Sequence, residues 1–504
     1  MEKSTEIWVI MLASGILLTF DLMVAKDMWS LLNVAIGALT LIWGMLFAYV
    51  FAVQARFENT VKNIFKNAGY MAVRHFPFTV IMLALNGIPV ACIAFGSVTM
   101  ALAVPVYVAV GFSLTARINS VFLNRIFRKY ISEEIENKKD YETGFPPEKR
   151  RQEMLITPEH EKLQYSGRID WTDRNAPVFV FPCTSVGMRF TGDTLKVYVR
   201  NKKAYWENYL GCILDGEQTK LRLPDDGEGL LEIPVKQLAA QTAEDGSHEV
   251  LLFKRQDSCH EVAFLGFEIE DGAELLDPPE RPRRRIEVYG DSVSAGEVSE
   301  AVDYVGKPDP EHNGQYSNSW YSYAWMTAWK LGAEIHDIAQ GGIALLDGTG
   351  WFNEPDYIGM ETAWNKVHYN PAFGPATDWD FTQYTPQVVI VAIGQNDNHP
   401  EDYMKEDYNC PRSVRWRREY GELLKKIRGR YPDAWIVCIT TLLEHDPSWD
   451  QSIDEVCGGL QDEKIRHFVF RRNGRGTPGH LRIPEAEEMA EELSAYIEGL
   501  DVQW

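Results

Sequence analysis

The chain has 504 residues, 45% of them hydrophobic and 24% charged, with a formal net charge of −22. Residues 1–130 carry ten Lys/Arg against five Asp/Glu, a net of +5, so the rest of the chain carries −27. So acidic a remainder repels phosphate backbones and excludes nucleic acid as a partner, while the length predicts two to four domains. Seven cysteines (92, 183, 212, 259, 410, 438 and 457) form no C-x-x-C pair and no His/Cys cluster at zinc-like spacing. They are expected to be free thiols in a reducing compartment, with no disulfide framework, metal or cofactor.

The first 130 residues read as a membrane region of about four helices. Ile7–Val24 is apolar but for Asp21, Trp29–Val53 is apolar and uncharged through its length, and Phe76–Ala116 holds no charge at all. About 20 apolar residues span a bilayer, so the last stretch is divided into two spans at Gly96–Ser97. Arg56, Lys62, Lys66 and Arg74 lie in the loop after the second span; Arg117, Arg125, Arg128 and Lys129 follow the fourth. Positive loops face the cytoplasm, which predicts a multi-pass protein of the cell membrane with its soluble part on the cytoplasmic side. VFAVQARFENTVKNIFKNAGYMAVRHFPFT and LTARINSVFLNRIFRKY, within Val50–Tyr130, resemble the C-terminal half of the YesL-like family of bacterial membrane proteins.

Residues 131–157 are mostly charged and contain proline, as a linker does. From 158 to 277 short alternating runs follow (VFVFPCTSVGMRFTG, TLKVYVRNK, YLGCILDGEQTKLRL, HEVLLFKRQ, HEVAFLGFEIEDG), separated by Thr191-Gly192, Asp215-Gly216 and Asp245-Gly246. Period-2 runs broken by such turns predict a small antiparallel β-sandwich. DPPERPRRR (277–285) reads as a second linker. From 284 to 501 apolar β-rich runs (RIEVYG, AEIHDIA, PQVVIVAIG, AWIVCITTL, KIRHFVF) alternate with helical ones (SWYSYAWMTAWKLG, RREYGELLKKIRGRY, PEAEEMAEELSAYIEGL). That alternation predicts a parallel sheet covered on both faces, with its ligand at the carboxyl ends of the strands.

Four short marks fall at those ends. Gly290-Asp291-Ser292 follows the first strand, Gly341-Gly342 the second, and Gly394-Gln395-Asn396-Asp397 the third; His480 precedes the last helix. Each alone is equally a turn, a helix cap or a surface residue. Their joint order, on elements that converge on one sheet edge, points to a nucleophile, an amide-lined oxyanion site and a base.

The four marks resemble the SGNH (GDSL) hydrolase superfamily, a flavodoxin-like α/β/α fold of esterases, lipases and deacetylases. The preceding run SGRIDWTDRNAPVFVFPCTSVGMRFTG, with ILDGE, HEVLLFKRQ, FLGFEIEDGAELLDPP and RRRIEVYGDSVSAG, is similar to family 2 of the carbohydrate esterases, in which a jelly roll precedes the SGNH domain. The resemblance implies an esterase that removes acetyl groups from oligo- or polysaccharides. Ser292 would be the nucleophile, His480 the base, and the amides of Ser292 and Gly342 with the Asn396 side chain the oxyanion hole. Gly342 is preferred to Gly341 by alignment; Asp291, Gly341, Gly394 and Asp397 are supporting residues. The superfamily's aspartate three residues before the histidine is replaced by Thr477, so a Ser–His dyad with a main-chain carbonyl on the imidazole is expected. Asp446 or Asp454 from LLEHDPSWDQSIDE, read as a loop, is the alternative acid, and His399 a rival base. Trp320, Trp351 and Trp449 are candidates either for sugar stacking or for packing. Two other functions are open: a sugar-binding or sensing protein whose esterase site has decayed, favoured by Thr477, and an activity of the membrane part itself.

Overall fold

The computed structural model describes residues 2–25, 30–56, 61–94, parts of 115–126, 154–238 and 246–504. The chain forms two compact units, 1–148 and 149–504.

The first unit contains α1 (Glu2–Ala25), α2 (Ser30–Arg56), α3 (Val61–Arg74) and α4 (Phe76–Ala94). The basic segment expected as a loop is helix α3. Its Ile64, Ala68, Met71 and Ala72 recur at helical spacing and are buried against Tyr49, Val50 and Val53 of α2. Pro77 sits in the first turn of α4, where a missing N–H costs least. The described residues do not support the four-span expectation. Among the described residues one helix, Asn33–Gln54, is long and apolar enough to cross a membrane. Val61–Arg74 and Phe76–Gly87 qualify only together and meet at a bend of 103°, and Ile7–Asp21 is a shorter apolar helix. The break at Gly96–Ser97 and the linker over 131–153 lie outside the described residues.

The second unit opens with two six-stranded sheets. In one, Leu195–Lys203 pairs antiparallel with His260–Ile269 and with Asp226–Ile233; Met154–Ile156, within the expected linker, also joins His260–Ile269. In the other, Ser247–Lys254 lies between Ser185–Thr191 and Tyr209–Leu214. Tyr209–Leu214 turns into Glu217–Arg222 through Asp215 (φ 52°) and Gly216 (φ 89°), two consecutive left-handed residues of the kind a two-residue hairpin needs. Alternate residues Val186, Met188 and Phe190 face Val197 and Val199 across the core, each contributing about 1.5–3 kcal/mol by burial.

The remaining residues build a five-stranded parallel sheet. We number its strands β1 (Arg284–Gly290), β2 (Ala333–Ala339), β3 (Val388–Ala392), β4 (Trp435–Cys438) and β5 (Ile465–His467). Their spatial order is β2-β1-β3-β4-β5, the doubly wound arrangement with its switch point between β1 and β3. Every residue of β3 is buried, as a strand covered on both faces requires. Helices α6 (Tyr323–Leu331) and α9 (Ile483–Glu498) pack on Ile286, Val288 and Ile390; α7 (Pro411–Arg430) and α8 (Pro447–Leu460) cover Tyr289, Val391 and Ile436. A one-turn helix, α5 (Ser292–Ala295), follows β1. The segment read as a loop around Asp446 is in fact α8, with Asp446 accepting from the Ser448 amide as its N-cap.

The sandwich is joined to this sheet by buried charge. Arg168, fully buried, donates to Tyr289 Oη (2.8 Å) and to the Trp364 carbonyl (2.8 Å), and lies 3.3 Å from the equally buried Glu287. The sandwich loop 255–259 packs at the carboxyl edge of the sheet, where Asp257 accepts from the Gln340 side chain (2.6 Å).

Candidate active site

β1 ends at Gly290, where a Cβ would fall 2.0 Å from Ser294 Oγ, so only glycine lets the strand turn into α5. Asp291 is extended and caps α5 by accepting from the Val293 amide at 3.0 Å. Ser292 thereby becomes the first residue of α5 at the carboxyl edge of β1. Its Oγ is 2.8 Å from His480 Nε2.

The other imidazole nitrogen, Nδ1, is 2.5 Å from Asp309 Oδ2, and the His480 amide donates to Asp309 Oδ1 at 2.9 Å. The expected dyad is therefore corrected: a carboxylate, not a main-chain carbonyl, faces Nδ1. Asp309 is held by Arg482, 3.0 Å away, which is fully buried and also donates to the His480 and Pro308 carbonyls. Gly306, in the same loop, donates to Glu485 in the first turn of α9 (2.8 Å). Gly479 makes this approach possible, because a Cβ there would lie 2.5 Å from Asp309 Oδ1.

The other candidates for the base and acid lie elsewhere. Thr477 is buried in a bridge with Leu443, Asp446 caps α8, and Asp454 is exposed beside His467 at 3.6 Å. His399 stacks on Trp351, ring centroids 3.3 Å apart. Trp351 is exposed, and its amide donates to the Gly342 carbonyl. Trp320 packs against Trp325 and Trp329, and Trp449 is buried against Trp416.

The glycine and asparagine marks converge beside Ser292. The Gly341 amide donates to Asp257 Oδ2 at 2.7 Å. Gly342 has φ +74°, and a Cβ there would strike Trp351 at 2.7 Å. Asn396 Nδ2 donates to the Ile343 carbonyl at 3.0 Å and makes a longer contact, 3.4 Å, to Asp291. Gly394 (φ +134°) leads into the turn holding Asn396. Buried Asp397 accepts from the amides of Leu345 (2.7 Å) and Leu346 (3.1 Å), tying that turn to the Gly341–Gly342 loop. Burial pushes the Asp397 carboxyl up to about 7, against those amides.

Acidic groups surround the imidazole. Burial favours neutral His480, but Glu297, Asp309 and Asp291 outweigh it and raise its pKa to about 9. Burial lifts Asp291 to about 6, although the Val293 amide opposes it. Asp309 is desolvated too, yet its hydrogen bond to His480 holds it below the ordinary carboxylate range. Sequence patterns did not point to Asp309, Asp257 or Glu297; Gly479, required by close approach, was the one local trace of the first.

A serine at a strand-to-helix turn, a His–carboxylate pair and a Gly/Asn cluster on one edge of a 2-1-3-4-5 sheet resemble the site of SGNH-type hydrolases. Residues 165–279 match the family model described as carbohydrate esterase 2 N-terminal. Over 354 residues the chain is 30% identical to the cellulase/esterase CelE of Acetivibrio thermocellus, covering 68% of this chain and 40% of that protein. It is 25% identical over 278 residues to an acetylxylan esterase / glucomannan deacetylase of Cellvibrio japonicus, covering 55% of this chain and 70% of the relative. Among solved structures, a family two carbohydrate esterase from Clostridium thermocellum in complex with cellohexaose superposes with a TM-score of 0.55 at 27% identity. That match covers 67% of this chain and 98% of the other. The chain is thus similar to family 2 carbohydrate esterases, and it spans 40% of the length of CelE.

Proposed function

We propose that the protein is a serine carboxylic-ester hydrolase that removes O-acetyl groups from carbohydrates through an acyl-enzyme on Ser292. The observation that carries this reading is the Ser292 Oγ–His480 Nε2 contact of 2.8 Å with Asp309 on the opposite nitrogen. Ser292 Oγ attacks the acetyl carbonyl carbon as its proton passes to Nε2. Asp309 holds the tautomer with the proton on Nδ1 and stabilises the imidazolium. The intermediate collapses with loss of the sugar oxygen, which takes the proton from Nε2. Water then repeats the two steps and releases acetate. The oxyanion is held by the amides of Ser292 and Gly342 and by Asn396 Nδ2. Gly342 is chosen over Gly341 because the Gly341 amide is engaged by Asp257. The contact of Asn396 to Asp291 is long, which supports its exchange for a substrate oxygen.

The relatives' names and the cellohexaose complex support a saccharide substrate, and the exposed face of Trp351 beside Gly342 supports a place for its ring. The organisation we propose is an N-terminal YesL-like region, a jelly roll over about 158–277 and an SGNH domain over 284–501. Helix Asn33–Gln54 would seat in a lipid bilayer, supported by exposed apolar residues such as Val34 and Leu39. The test compares the full-length protein with Ser292→Ala on an aryl acetate and on acetylated oligosaccharides, measuring acetate. No Ser292-dependent release defeats the proposal. A decayed binding or sensing protein would instead retain saccharide binding without hydrolysis, but its argument from Thr477 is weakened by Asp309.

A further inference from the structure

We infer that Glu297 is a second carboxylate positioning residue for His480, acting at the Nε2 edge opposite Asp309 and delaying the activation of Ser292 to higher pH. The inference rests on the serine-hydrolase reading above. Glu297 Oε2 lies 3.9 Å from His480 Nε2, and Oε1 lies 3.8 Å from His312 Nε2. Among the described residues no N–H or O–H donates to this carboxylate, and the two imidazoles are the basic groups within 4 Å of it.

The backbone is bent to bring it there. Gly296 (φ +74°) and Val298 (φ +57°) flank Glu297 in left-handed conformations, and the Glu297 amide donates to the Ser292 carbonyl at 3.0 Å. A β-branched residue resists that conformation, and such strain persists where the surroundings impose it. A Cβ at Gly341 would fall 2.7 Å from Asp257 Oδ2 and 2.9 Å from Glu297 Oε2, so glycine there leaves room for both carboxylates.

The charged and titratable groups around the imidazole come from every adjoining element: Asp291 after β1, Glu297 after α5, Asp309 and His312 from the loop before α6, and Arg482 before α9. Asp257 of the sandwich loop acts on Glu297, whose carboxyl burial raises to about 7. With carboxylates at both nitrogens, the imidazolium formed during attack is stabilised twice, and the neutral base appears only at higher pH.

The test is the pH dependence of Ser292 labelling by an alkyl fluorophosphonate in the full-length protein, followed by intact mass. The Ser292 Oγ–P bond forms, P–F breaks, fluoride leaves and His480 takes the serine proton, so the rate follows neutral imidazole without any sugar. Glu297→Gln is expected to lower the midpoint by about 1–3 pH units, the usual effect of an opposite charge at this range. It is also expected to lower the high-pH plateau, because the base is weaker. Glu297→Asp, which retracts the charge by one methylene, should fall between and serves if the amide variant does not fold. A structural role alone would slow labelling without moving the midpoint, and an unmoved midpoint overturns the inference while leaving the hydrolase reading intact. If Ser292 of the unaltered protein is not labelled at any pH, both fall.

Discussion

Asp309 and His480 meet at two points: one carboxylate oxygen faces the ring Nδ1 at 2.5 Å, and the other accepts the histidine's own amide at 2.9 Å. The aspartate therefore sets both the position of the residue and the orientation of its ring. Arg482, buried and within 3.0 Å, keeps it ionised and in place. This carboxylate reaches the histidine from 171 residues upstream in the chain.

Asp309→Asn keeps the shape but donates to Nδ1, imposing the wrong tautomer. In the full-length protein kcat on an aryl acetate should fall by about 10²–10⁴-fold, with KM little changed. A loss of less than tenfold would restore the dyad.

Asn396→Ala removes the side-chain donor proposed for the oxyanion. Its kcat should fall about 10²–10³-fold, equivalent to about 2.7–4 kcal/mol of transition-state stabilisation. Loss confined to KM would show that Asn396 binds the ground state instead.

Arg168→Met leaves Glu287 buried without its partner. Both side chains have no solvent exposure, so the cost should be about 3–5 kcal/mol, read as a lower midpoint in urea unfolding. Pairing it with Glu287→Leu should recover much of that loss.

His368 lies between Glu261 (2.8 Å) and Asp170 (3.0 Å). Burial disfavours its charge, but the two carboxylates prevail and raise its pKa to about 8. A raised pKa means the charged form is favoured by folding. The stability it contributes is complete below its ordinary pKa of about 6.5 and is lost as pH rises through about 8. The Tm difference between the unaltered protein and His368→Gln should therefore shrink from pH 6 to pH 9; a constant difference would refute the linkage.

Much of the catalytic edge was legible before any coordinates. A parallel sheet brings the carboxyl ends of its strands together, so Ser292, Gly342 and Asn396, each just past a strand, had to be neighbours. His480 before the final helix joins them for the same reason. β2 spans Ala333–Ala339 as its apolar run indicates, and the Asp215-Gly216 hairpin follows from two residues that tolerate positive φ. The strand Asp226–Ile233 was missed because DGEGLLEI carries two glycines and its alternation is weak.

Helix α8 was obscured by the proline and acidic residues of its first turn, which read as a loop but are ordinary at a helix start. The basic residues of Val61–Arg74 read as a loop, yet this segment is a helix that meets Phe76–Gly87 at a bend of 103°. Periodicity and strand order, then, indicated by themselves the sandwich and the parallel sheet, and with the family resemblance they placed Ser292 and His480 on one sheet edge, because those features repeat locally or follow from strand order. The carboxylate beside that histidine's Nδ1 and the charge facing Nε2 appeared only with the tertiary structure. Asp309, Asp257 and Glu297 lie in irregular segments with no period to read. Their roles arise from close approaches, past Gly479 and Gly341, that no local pattern encodes.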